Sequence, residues 1–356
     1  MAVTTRRDLE ATRRTLAGWL SVRLGAGAVD VRELVLPKAG FSNETAYFDA
    51  VWTGPDGVSR EHGFVLRIEP TGHQLFVTPD AFFQARMMRA LARHSSVPVP
   101  RVWFAEQDVS LLGAPFYVMD KVAGRIPSDV PSWHKRGWTV DLTPQERGRL
   151  YDEGLAQLAA LHRIDWREGF TFLAPSGSPS GTALEAYLVR LGQWYEWCAD
   201  SRHRDAEVID RAWEHVRRHR PRDAAACVVW GDARVGNMIF GEDLSVAALL
   251  DWETATVGPP GIDLGWWLMF EEFLCEAQGL TRLDGVPDRD ATVARYEELS
   301  GRPASHVAYY EIVAGLVLAL INGRLADLLV ASGKVGEDVA GEYVTRVTSM
   351  LARRLG

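Results

Sequence analysis

Three oxygen-bearing side chains, Asp232, Asn237 and Asp251, sit where the sequence is most informative. Asp232 and Asn237 belong to Val228-Val229-Trp230-Gly231-Asp232-Ala233-Arg234-Val235-Gly236-Asn237, and Asp251 to Leu249-Leu250-Asp251-Trp252-Glu253. Residues 227–230 read as a buried strand end. Residues 238–240 and 246–250 are apolar runs separated by the turn signal Gly241-Glu242-Asp243. Paired antiparallel, the two runs put Asn237 at the opening of one strand and Asp251 at the close of the other, with Cα atoms roughly 5 Å apart. Asp232 reaches the same spot across one short loop. A carboxylate beside an amide oxygen suits Mg²⁺, a hard cation that prefers oxygen and keeps positions for water and substrate phosphates. A second carboxylate, free of the metal, can accept a proton.

These residues need a frame, and 356 residues are enough for two lobes and a sizeable core. A helical pattern over 5–24 brings Leu9, Leu16, Leu20 and Leu24 near one face and reads as a cap on the first lobe. Strand patterns follow at 31–36, 45–52 and 62–68, the last two joined by the turn Thr53-Gly54-Pro55-Asp56-Gly57. Thr78 as N-cap and Pro79 at the first helical position open a helix to about His94. Strands at 102–106 and 115–121 complete a small antiparallel-sheet N-lobe. A boundary near Ala123-Gly124 divides the chain into 1–122 and 123–356. Beyond it Thr143-Pro144-Gln145-Glu146 is a capping box, opening a helix to about His162. Helices at 184–199, 206–219, 262–278, 291–299, 305–332 and 338–354 make a larger, mostly helical C-lobe. The fold class is α+β. The Ser/Gly/Pro-rich loop 174–181 lacks the Gly-Lys-Ser/Thr ending that cradles phosphate in a P-loop.

A hydrophobic content of 47% and a charged content of 24% are those of an ordinary globular protein. The net charge of −8 gives no basic face, so no nucleic-acid partner is expected. Cys198, Cys227 and Cys275 show neither zinc nor disulfide spacing, which makes a reducing cytoplasm the expected setting. Arg6-Arg7 and Arg13-Arg14 are followed by no apolar segment of a secretory signal. The longest apolar run, 312–321, is short for a bilayer and reads as a buried helix, so no membrane partner is expected either.

The ordered set of strand, Asp loop, Asn, hairpin, Asp-Trp-Glu and the following Gly258-Pro259-Pro260-Gly261-Ile262-Asp263-Leu264 resembles the aminoglycoside phosphotransferase family, the choline kinase-like branch of the kinase superfamily. Trp230-Gly231-Asp232 stands where that family usually has His-Gly-Asp, and Asp251-Trp252-Glu253 where protein kinases have Asp-Phe-Gly. The resemblance implies a bilobal protein kinase-like fold and phosphotransfer from ATP to a hydroxyl of a small molecule. Asp232 would be the base, and Asn237 and Asp251 would hold Mg²⁺. Arg234 admits two readings, a γ-phosphate contact or a solvated loop arginine. Trp230 would pack under the loop in place of the histidine. Glu253 reads as a water-mediated aid to the metal or as a surface ion pair. Asp263 reads as a helix N-cap, and the resemblance adds that it braces the catalytic loop.

The nucleotide end rests more heavily on the resemblance. Lys38-Ala39-Gly40-Phe41-Ser42-Asn43-Glu44 lies between two strands, and the family's Gly-x-Ser-Asn run suggests phosphate contacts through Ser42 and Asn43. An ordinary hairpin turn has the same appearance. Arg67 stands where the family has a phosphate-binding Lys, and Gln84 where it has the partner Glu. Arginine keeps the charge and forks onto phosphate, but its shape and hydration differ. Phe116-Tyr117-Val118-Met119-Asp120-Lys121-Val122 resembles the hinge that meets adenine through backbone groups of Asp120 to Val122. The acceptor is left open. Relatives in the family act on choline, sugars, macrolides and, where linked to acyl-CoA dehydrogenases, hydroxyacyl-CoA; a nucleotide-binding scaffold without transfer is a further alternative. The insert 127–140 and the last four helices are expected to shape the acceptor pocket. Glu271, Glu272 and Glu276 are either an amine-attracting cluster or a solvated helix face, and Trp252, Trp266 and Trp267 are expected in the core.

Overall fold

A computed structural model describes residues 7–37, 44–71, 79–174, 181–222 and 225–356. Helix α1 (Leu9–Leu24) starts where the Asp8 carboxylate accepts the Glu10 and Ala11 N–H groups and stops at Gly25, whose φ of 62° no continuing helix adopts. Strands β1 (Val29–Val31), β2 (Glu44–Thr53) and β3 (Ser59–Ile68) are followed by helix α2 (Ala81–His94), strand β4 (Val102–Glu106), the single turn α3 (Val109–Leu112) and strand β5 (Phe116–Asp120). The strands form one antiparallel sheet in the order β1-β2-β3-β5-β4. Alternate residues of β2, among them Phe48, Ala50 and Trp52, pack with Phe64, Leu66 and Val118 under Leu16 and Leu20 of α1. The strand expected over 31–36 is shorter. Val31 pairs with Ala50, but Val35 pairs with Tyr47, so the register slips by one residue between them. Such a bulge breaks the ladder and ends the strand early.

Helix α4 (Pro144–His162) begins in the expected capping box, with Glu146 N–H on Thr143 Oγ1 and Thr143 N–H on Glu146 Oε2. Helices α5 (Ala183–Trp197) and α6 (Ala206–Arg218) follow, then strands β6 (Cys227–Val229), β7 (Met238–Phe240), β8 (Val246–Leu249) and β9 (Thr256–Gly258), and helices α7 (Gly261–Leu274), α8 (Arg289–Ser300), α9 (Val307–Ala331) and α10 (Glu337–Leu355). The strands β7 and β8 make the expected hairpin. The strand β6 pairs instead with β9, a partner too short to show periodicity in the sequence. Helix α9 is long and apolar enough to cross a bilayer, yet most of its apolar stretch is buried inside the protein. Its Ile312, Leu316 and Leu320 pack against Ile209 and Val216 of α6, Met269 of α7, and Met350 of α10.

Contacts divide the chain into two compact units. One comprises residues 1–89 and 100–122, the other 90–99 and 123–356. Pro98 joins the second unit by accepting the Leu249 N–H at 2.8 Å.

Candidate active site

The β6–β9 ladder sets the geometry of the second unit's site. Strand β6 runs into Trp230-Gly231-Asp232, and β9 runs through Pro259-Pro260 into α7, so the start of α7 lies under the loop. Asp263 exploits this. It lies in the first turn of α7 but is not its N-cap, a position taken by Pro260. Its carboxylate, fully buried, accepts the Trp230 N–H on Oδ2 and the Gly231 N–H on Oδ1, both at 2.7 Å. The N-cap expectation is thus corrected, and the bracing implied by the resemblance is what the carboxylate does. His162 Nε2 lies 3.0 Å from Asp263 Oδ2, and its Nδ1 is 2.6 Å from the Tyr296 hydroxyl. A carboxylate only accepts, so His162 turns Nε2–H to Asp263 and Nδ1 accepts from the Tyr296 hydroxyl, whose proton burial holds more firmly than usual. Gly231 has φ 89°, and a Cβ there would lie 2.5 Å from Thr254 Oγ1, so only glycine fits the turn before Asp232.

Asp232 is held by three donors. Oδ1 accepts Arg234 Nε at 2.9 Å and Trp266 Nε1 at 2.8 Å, and Oδ2 accepts Asn237 Nδ2 at 2.6 Å. Asn237 Nδ2 also meets the Asp232 carbonyl at 3.0 Å. Across the hairpin the Leu250 N–H donates to Asn237 O at 2.9 Å, which sets Asp251 beside Asn237. Asp251 has φ 60°, a left-handed conformation that Asp tolerates better than most residues. The Trp230 indole, wholly buried, donates to the carbonyls of Leu250 (2.8 Å) and Asp251 (3.1 Å) and stacks on Trp252. One ring therefore ties the Asp232 loop to the strand end that carries Asp251.

Arg234 is not a solvated loop arginine. Its Nη1 is ion-paired with Asp129 Oδ2, and its guanidinium lies 4.8 Å from the Phe270 ring. Burial works against its charge, but Asp232 and Asp129 outweigh that and hold it well above its ordinary value. Asp129 lies in the segment between β5 and α4. That segment is pinned by the Arg125–Phe240 bridge and by His134 Nε2, 2.5 Å from Glu271 Oε1. Neither Asp129 nor the Trp266 and Phe270 contacts were expected from the sequence. Asp263, Trp266 and Phe270 do share a face of α7 by their three- and four-residue spacing, and that was the available signal. Glu271 and Glu272 of α7 and Glu276 just beyond it are ion-paired: Glu271 meets His134 and Arg282, Glu272 meets Arg353 and Arg354, and Glu276 meets Arg282.

In the first unit, Arg67 is half-buried on β3, opposite Thr45 on one side and Tyr117 on the other. Gln84 of α2 is 2% exposed and accepts the Tyr117 hydroxyl at 3.1 Å. The Asp120 carboxylate is engaged through Oδ1, with Trp103 Nε1 at 2.6 Å and His62 Nε2 at 2.8 Å. Its N–H donates to Arg101 O and that of Lys121 to Gly63 O, whereas the Val122 N–H has no partner among the described residues. Ser42 and Asn43 lie outside the described residues with residues 38–41, as does Thr78.

A profile of the phosphotransferase enzyme family matches residues 34–302. The chain belongs to that family. Among solved structures the fold is shared with a putative aminoglycoside phosphotransferase from Ralstonia eutropha JMP134 (TM-score 0.70, 23% identity, 98% of each chain). It is shared with macrolide 2'-phosphotransferase MphH from Brachybacterium faecium (TM-score 0.54, 18% identity, 92% of this chain and 96% of that one). It is also shared with an ethanolamine kinase from Plasmodium vivax (TM-score 0.54, 9% identity, 91% and 83%). This is the bilobal α+β, protein kinase-like fold. Curated relatives include mouse acyl-CoA dehydrogenase family member 10 (29% identity, 73% of this chain, 22% of that protein). Arabidopsis thaliana probable acyl-CoA dehydrogenase IBR3 matches at 25% identity over 82% of this chain and 37% of its own length. The family chain thus spans between about a fifth and two fifths of these relatives.

Proposed function

We propose that this phosphotransferase moves the γ-phosphate of ATP to a hydroxyl of a small molecule, with Asp232 as base. The observation that carries the reading is the unequal use of the Asp232 carboxylate. Oδ1 already has two donors, whereas Oδ2 has one and keeps an acceptor position among the described residues. An acceptor hydroxyl bonded there is oriented by a carboxylate that cannot turn. As the new P–O bond forms and the β–γ bridge breaks to release ADP, the hydroxyl proton passes to Oδ2. Positioning and charge neutralisation are what phosphoryl transfer chiefly asks of a protein. Asn237 and Asp251 fit Mg²⁺: the amide nitrogen is committed to Asp232, so Oδ1 is the end left for a hard cation beside the Asp251 carboxylate. Bound Mg²⁺ would neutralise charge on the ATP phosphates. At the nucleotide end, Arg67, Ser42 and Asn43 would take phosphates. The Val122 N–H, without a partner among the described residues, would meet adenine.

The test is ADP release with Mg-ATP across hydroxylated amines, sugars and acyl-CoAs. Asp232→Ala is expected to lose about 10² to 10⁴-fold in turnover while still binding Mg-ATP. Turnover at the wild-type level in that variant would sink the assignment. Asp251→Ala is expected to abolish Mg²⁺-dependent nucleotide binding in calorimetry. A hydroxyacyl-CoA acceptor is a second reading, favoured by relatives named as acyl-CoA dehydrogenases, and the same panel separates it from amines and sugars. Tight Mg-ATP binding with no acceptor turned over would instead mark a silent scaffold, the outcome that Arg67 and Gln84 in place of Lys and Glu make worth testing.

A further inference from the structure

We propose that Asp129 is a positioning residue for transfer, locking Arg234 so that its Nε stays on Asp232 Oδ1 and the free position of Oδ2 faces the acceptor. The inference rests on the reading of Asp232 as base. An arginine two residues beyond a loop carboxylate ordinarily swings into solvent, where ion pairs contribute little. Here three groups confine the guanidinium: Asp232 through Nε, Asp129 through Nη1, and the Phe270 ring against its face. Asp129 Oδ1 is sealed from water without a hydrogen-bond partner among the described residues, an arrangement a protein tolerates at a cost. Burial pushes the Asp129 carboxyl up, and Arg234 pulls it back.

Gly236 supports the same conclusion independently. A Cβ at this position would lie 2.4 Å from both Asp129 Oδ1 and Arg234 Nη1, so the pair sits flush against the loop backbone only because the residue is glycine. The segment that brings Asp129 in is itself fixed at both ends, by Phe240 and by Glu271. Without Asp129, nothing else in this group holds Nη1. Arg234 can then leave, and Oδ1 loses one of its two donors, so only Trp266 on Oδ1 and Asn237 on Oδ2 still resist rotation of the carboxylate about its Cβ–Cγ bond.

The experiment is a double-mutant cycle on the full chain, read by kcat for ADP release and by nucleotide Kd from calorimetry. Asp129→Asn is expected to lower kcat on the order of tenfold to a hundredfold, as small misplacements at a reacting centre do, with Kd unchanged. In an Arg234→Met background the same substitution is expected to add nothing, because its effect passes through Arg234. Gly236→Ala, which keeps both charges but forces them apart, is expected to reproduce the loss. Wild-type kcat in Asp129→Asn, or a loss that adds in full to that of Arg234→Met, overturns the proposal. A crystal structure of Asp129→Asn gives a readout that needs no turnover: Arg234 Nε should leave Asp232 Oδ1, and its retention there overturns the clamp. A wild-type protein that never releases ADP overturns the base assignment instead, and the crystal structure still decides the clamp.

Discussion

Replacing Asp263 by alanine should separate the scaffold of the site from its chemistry. Its carboxylate, with no solvent access, receives the Trp230 and Gly231 N–H groups at 2.7 Å and His162 Nε2 at 3.0 Å. Alanine leaves all three without an acceptor. Stranding a buried donor costs roughly 1–3 kcal/mol, and removing one member of a buried charged network about 3–5 kcal/mol. Three such donors come to roughly 3–9 kcal/mol, which overlaps the network figure at about 4 kcal/mol. In a unit of about 240 residues each kcal/mol moves the melting midpoint by about 2–4 °C, so a fall of about 10 °C is expected. Asp263→Asn should lose less, since its one oxygen can still accept a single N–H while its NH₂ faces the other donors. The assay is thermal and urea unfolding at neutral pH, with ADP release measured well below both midpoints. There Asp263→Ala should still turn over slowly, because Trp230 and Gly231 set the path of the chain into Asp232. A midpoint shift under about 2 °C would refute the reasoning, for it would mean that water or another acceptor serves these donors.

Two further outcomes are expected. Trp266→Phe keeps the ring but removes the indole N–H from Asp232 Oδ1, so kcat should fall about tenfold with nucleotide Kd unchanged in calorimetry. In the first unit, hydrogen bonds from the Trp19 indole and Arg23 hold Glu106 down at about 2, against an ordinary 4.5. Because the folded value is depressed, its contribution to stability is present above pH 4.5 and is lost as pH falls towards about 2. Glu106→Gln should therefore melt lower than wild type at neutral pH, with the difference closing in acid; an unchanged gap in pH-dependent melting would count against it.

What the sequence made legible was local. Gly241-Glu242-Asp243 between two apolar runs marks the β7–β8 hairpin, and Thr143 with Glu146 marks the start of α4, because turns and caps are written within a few residues. The pairing of β6 with β9 was hidden, since three residues ending in Gly258 carry no alternation. The bulge that shortens β1 was hidden too, because Val31 and Val35 look like one strand until their partners are known. At the site, Asp232, Asn237 and Asp251 declare themselves by residue type and order. Asp129 and Trp266, 103 and 34 positions from Asp232 in the chain, reach it only through tertiary packing. Asp263 was misjudged as a cap because the N-cap of α7 is Pro260, three residues earlier, which leaves the Asp263 carboxylate inside the first turn and turned to the loop.

The Trp230–Trp252 stack has a spectroscopic consequence. Two indoles with centroids 5.4 Å apart and planes 29° from parallel share their ultraviolet transitions, so they absorb as a coupled pair with a signed circular-dichroism couplet. Trp230 grips the carbonyl of Asp251 and Trp252 follows it in the chain, so the couplet, taken as the difference between wild type and Trp252→Phe because the chain has 13 tryptophans, is expected to report the attitude of this strand end. The protein thus carries an intrinsic optical gauge at the seam between its two acidic loops, readable without label or acceptor.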